Sequence, residues 1–139
     1  MTTASDIIAG AYQRLGLLPL GADLDPDRAA AGLAAYNDML NAWAADGIFP
    51  GAPSAPSSGT ALSYSLDDAF PLAPQFVEGA KALLAVELAP QSGIEPQPSL
   101  QERAQKSRAA LLAYYVITPN AGQDTGLTWM PSLRRYGFQ

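Results

Sequence analysis

Cysteine and histidine are both missing from this chain of 139 residues. Without them, disulfides, thiol catalysis, histidine-based triads and His/Cys zinc sites cannot be built. No glycine-rich phosphate loop of the P-loop or dinucleotide type occurs either, so most enzyme classes lose their usual machinery. No apolar stretch approaches the length of a membrane span. The opening MTTASDII lacks the basic flank and apolar run of a signal peptide, so the chain is expected in the cytoplasm when it is made.

Positive charge is also scarce, with eight basic residues against thirteen acidic ones and a net charge of −5. It is unevenly placed. Up to residue 102 only Arg14, Arg28 and Lys81 are basic, whereas Arg103, Lys106, Arg108, Arg134 and Arg135 follow, opposed by Asp124 alone. An acidic body argues against a DNA-wrapping surface, which needs clustered Lys and Arg to neutralise phosphates. The polarity suits head-to-tail contacts between copies, or docking of the basic end on an acidic partner.

What is abundant is alanine, roughly a fifth of the residues, which favours helix and close helix packing. The pattern predicts a mainly α fold, a four-helix bundle-like core with one long loop carrying a short strand and an extended C-terminal arm. The first helix opens at Thr3, with Asp6 three residues on as a variant capping box, shows Ile7, Ile8, Ala11 and Leu15 on one face and stops at Gly16. The second starts at Asp25–Pro26 and carries Leu33, Tyr36, Leu40 and Trp43 at helical spacing to Gly47. The third, from about Gln75 to Leu88, is apolar nearly all round and is expected to be the most buried, with Pro90 closing it. The fourth is expected to open on a capping box of Ser99 with Glu102 and to run through Ala104 and Leu111 to about Tyr115. Adjacent residues on a helix point about 100° apart, so Tyr114 and Tyr115 cannot both face the core.

Two segments break this pattern. Residues 47–74 form the loop region: GIFPGAPSAPSSG, then Leu62, Tyr64 and Leu66 alternating with small residues as in a short half-exposed strand. From Thr118 the chain loses helical period, yet Leu127, Trp129, Met130, Leu133, Tyr136 and Phe138 stand beside the pair Arg134–Arg135. Disordered tails are poor in such residues, and Trp, Tyr, Met and Arg are enriched where proteins dock. The organisation is therefore a helical core over 1–116 and a docking arm over 117–139, with those eight residues as candidate partner-binding groups. The competing reading is that the arm folds back over its own helices.

Two carboxylate features resemble chemistry without completing it. Asp23, Asp25 and Asp27 mimic the start of a calcium loop, but the sixth position is Arg28 instead of glycine and the twelfth is Ala34 instead of glutamate. Their expected role is electrostatic, at a helix N-terminus. Glu78 and Glu87 are candidates for a carboxylate-dependent cell-wall hydrolase only as acids near a buried helix, and a solvated helix edge is the plainer reading of both. No catalytic residue, metal or cofactor is expected. A small helical DNA-binding or regulatory module remains a third possibility.

Taken together, TASDIIAGAYQRLGLL, then DPDRAAAGLAAYNDMLNAWAADGI, then DDAFPLAPQFVEGAKALLAVELAPQSGIEPQPSL resemble the head-to-tail connector proteins of tailed bacteriophages. The resemblance is to the tail accessory factor, or packaged-DNA stabilisation protein, of P22-like phages. It rests on a helix ending Arg-Leu-Gly, an acidic-proline restart, the run Tyr36-Asn37-Asp38-Met39-Leu40-Asn41-Ala42-Trp43 and a proline-marked helical hairpin. It implies a structural adaptor of the virion neck with no catalytic activity. Such a subunit forms a ring, commonly a dodecamer, on the portal protein, continues the DNA channel and presents a platform to the downstream tail or nozzle protein. DNA passes through without specific binding, and no membrane is involved.

Overall fold

A computed structural model of the chain describes residues 1–48 and 61–116. Within them the protein is mainly helical: α1 (Ala4–Arg14), α2 (Pro26–Ala45), a 3₁₀ turn (Pro74–Phe76), α3 (Val77–Gln91) and α4 (Pro98–Tyr115). No strand is found among the described residues.

Each boundary has a local cause. At the start of α1, Asp6 N–H donates to Thr3 Oγ1 and Thr3 N–H to the Asp6 carboxylate at 2.9 Å, the reciprocal capping box expected from the sequence. The two remaining early amides are taken by the segment before α3: Ala4 N–H donates to Asp68 O and Ser5 N–H to Leu66 O. All the orphan donors of that helix end are thus occupied. Proline at the first helical position opens α2, where Asp25 caps without a side-chain hydrogen bond.

Three helices end on the same device. After α2, Gly47 N–H donates to Ala44 O and Ile48 N–H reaches back to Trp43 O, closing the last turn as a Schellman motif. Gly47 has φ 87°, a conformation open to glycine at no steric cost, and Ile48 is 1% exposed beneath it. Leu17 N–H to Tyr12 O and Ile94 N–H to Ala89 O repeat the arrangement after α1 and α3.

Packing follows from small residues at the crossings. α1 and α2 run antiparallel, with Gly32 against Ile8 and Tyr12, and Tyr12 Oη donating to Arg28 O. The Arg28 guanidinium then holds Leu17 O at 2.7 Å, fixing the turn between them. α3 is central: it packs on α1 and α4 and touches α2, and Ala80, Ala82, Leu84, Ala85, Leu88 and Ala89 are buried on it. Gly79 lets it approach Ser107 on α4. Tyr36 and Trp43 lie in the core with Ile7, Ile8, Leu84, Leu88 and Leu111.

Three expectations need correction. Pro90 does not close α3; it sits inside the last turn, which runs on to Gln91. The helix α4 begins one residue before the expected cap, because Pro98 occupies the first helical position and Gln97 the cap. Ser99 and Glu102 therefore form no capping box, and Glu102 pairs with Lys106 one turn on. The short strand at 62–66 is the third. Its side chains do alternate between half-buried and exposed, but among the described residues it has no strand beside it. Two asparagines of α2 take the place of a partner strand. Asn41 accepts from Leu62 N–H at 2.7 Å and donates to Leu62 O at 3.0 Å, while Asn37 does the same with Tyr64 at 2.8 and 3.2 Å. The fit is geometric: four helical residues rise about 6 Å and two extended residues about 6.6 Å.

Candidate interaction surface

The eight candidate partner-binding residues, Leu127, Trp129, Met130, Leu133, Arg134, Arg135, Tyr136 and Phe138, all lie outside the described residues, as does the stretch 49–60 of the loop. What the structure places is the point from which residues 117–139 depart. The C-terminal half of α4 is held to the rest of the bundle there through Val116, Tyr115 and Arg108. Val116 N–H donates to Leu112 O at 3.0 Å, and a Cβ built on Gly47 would meet Val116 Cγ2 at 3.8 Å. Tyr115 Oη accepts the Ala73 N–H at 2.9 Å. Arg108 ties α4 to Asp46 beyond the end of α2 at 2.8 Å. The origins of both outlying segments, Ile48 and Val116, therefore adjoin at one end of the bundle.

An aromatic cluster surrounds that point. The rings of Phe76, Tyr114 and Tyr115 have centroid separations of 5.2, 5.6 and 4.9 Å in edge-on or tilted pairs, geometries favoured by the ring quadrupoles. Tyr115 is half-buried and Tyr114 is 61% exposed, the division expected from their adjacency on one helix.

Glu78 forms ion pairs with Arg14 and with Lys81. The Lys81 ammonium, donating at 3.1 Å, holds its carboxyl below the usual range, opposite to the raised value a general acid needs. Glu87 is exposed nine residues further along the same helix. Asp23, Asp25 and Asp27 do not converge: among the described residues no three acidic groups form a metal-binding cluster. No helix among them is long and apolar enough to cross a membrane.

Two buried or half-buried polar features carry more information than these acids. Tyr36 is fully buried, and its hydroxyl has no partner among the described residues. Burial pushes its ionisation far above the ordinary tyrosine range, and the neighbouring Tyr64 and Asp68 add to this. The second is the Asn37/Asn41 clamp. The sequence offered a signal for it, two asparagines four apart on an otherwise apolar helix face, but the backbone they hold lies more than twenty residues away.

No protein-family model matches this chain, and no curated protein matches it either.

Proposed function

We propose that this protein is a head-to-tail adaptor subunit of a tailed phage, which assembles as a ring on the portal and docks through residues 117–139. One structural observation supports this reading above others. Residues 117–139 follow directly on an end of the bundle where Val116, Tyr115 and the Asp46–Arg108 ion pair hold α4 to the body, beside the rings of Phe76, Tyr114 and Tyr115. A tethered recognition segment gains affinity when its root is fixed, because less freedom is lost on binding.

The stretches that carry the resemblance fall on defined parts of the fold. Arg-Leu-Gly leads into the turn after α1, the acidic-proline restart opens α2, and Leu40 and Trp43 are core residues. The body is acidic, so a channel lined by it would not retain passing DNA. The mechanism is assembly: subunits associate weakly, the portal captures their arms, and the raised effective concentration closes the ring.

In this reading Tyr136 and Phe138 anchor the arm in apolar pockets of the portal, and Arg134 and Arg135 meet acidic groups. Surface immobilisation of the portal checks this. Tyr136→Ala and Phe138→Ala each weaken capture at least about tenfold, the effect of losing a hot-spot aromatic. Glu78→Gln and Glu87→Gln leave it unchanged. Equal capture of all four variants contradicts the reading.

A further inference from the structure

The Asn37/Asn41 clamp has a second side. Residues 62 and 64 turn their backbone groups toward α2, so in extended chain residues 61, 63 and 65 turn theirs the other way. Ser65 is used up locally, its N–H donating to Asp68 Oδ2 and its C=O accepting from Asp68 N–H. No described residue bonds to the backbone N–H or C=O of Ala61 or Ser63, and both residues are exposed. The clamp thus holds an extended segment with one edge satisfied by side-chain amides and the other, among the described residues, open. An open, ordered edge is a template for an added strand, and its ordering is already complete before a partner arrives.

From this geometry we propose that the edge at 61–65 receives residues 126–130 of a neighbouring copy as an added β-strand. The proposal rests on the ring reading above and names the contact that links one subunit to the next. Two observations select this occupant. Leu127, Thr128 and Trp129 alternate apolar and polar, are β-favouring, and lie in a stretch from 120 to 130 free of proline, which Pro131 ends. The ten Cα-to-Cα steps from Val116 to Gly126 span up to about 33 Å, the width of a small domain, so a neighbour's edge is within reach.

The absence of native cysteine makes the test clean. In the full-length chain, Ser63→Cys is combined in turn with Gly126→Cys, Leu127→Cys, Thr128→Cys and Trp129→Cys, and each pair is oxidised at high protein concentration. The proposal predicts a covalent ladder of multimers at alternate arm positions, the period of a strand, with none from Ser63→Cys alone. Ala61→Pro, which removes an edge N–H, should abolish the ladder while helical circular dichroism stays at its original intensity. Dimers from Ser63→Cys alone mean that the edge pairs with itself, a disulfide confined to the monomer means that each arm covers its own body, and no disulfide means that the arm does not reach the edge. Any of these overturns the proposal. Portal capture by the same variants before oxidation separates the two claims: capture without a ladder leaves the adaptor reading standing and removes only this contact.

Discussion

Tyr36 shows how a single side chain can work against the fold that contains it. Its ring is core, set edge-on to Tyr64 at 6.2 Å, but its hydroxyl is buried without a described partner. Leaving such a group unsatisfied costs about 1–3 kcal/mol. Tyr36→Phe should therefore raise stability by about 1 kcal/mol, read as a higher urea midpoint at unchanged slope; a loss of stability would mean that the hydroxyl has a partner. Gly32 works in the opposite sense. A methyl group there collides with Ile8, so Gly32→Ala should cost about 1–3 kcal/mol despite alanine's better helix propensity. Asp6 supplies the pH dependence. Accepting the Thr3 backbone N–H holds its carboxyl below the ordinary range. Its stabilisation is complete above the unfolded-state pKa, about 4, and is lost as pH falls through the lower folded-state value. Melting temperature should drop across that acid window, and Asp6→Asn should flatten that part of the profile.

At the scale of elements, legibility followed how local the cause was. The capping box at Thr3 and Asp6, the proline start of α2 and the glycine stops at Gly16 and Gly47 were all readable, since each depends on a few neighbouring residues. The start of α4 was misread where two local signals competed. Pro98, with its fixed φ, set the first helical position, and Ser99 was left one residue inside. The segment at 62–66 was legible as extended chain from its alternation, but its partner was not. Side-chain amides replacing a strand are a tertiary contact, and no period reveals them. Hydrogen exchange tests this element directly. In dilute protein the amides of Leu62 and Tyr64, each bonded to an asparagine, should exchange slowly and that of Ser63 fast. In Asn37→Ala/Asn41→Ala the contrast should vanish, with a stability loss of about 1–3 kcal/mol. Uniformly fast exchange in the unaltered chain would mean the clamp does not form.

For the whole molecule, the described helices close their own core: α3 is buried between α1 and α4, and Leu111 and Ile48 seal the end from which residues 117–139 depart. A chain ending at Val116 should keep its helical circular dichroism per residue and melt within a few degrees of the full chain, because the anchoring of α4 lies within residues 1–116. Division of labour between body and arm is the central claim, and mass photometry with the portal protein of the same genome tests it most directly. The full-length chain should add a discrete mass equal to one ring of subunits, and the chain ending at Val116 should add none. A portal that gains no mass from the full-length chain, or gains the same number of subunits from both, would contradict the account.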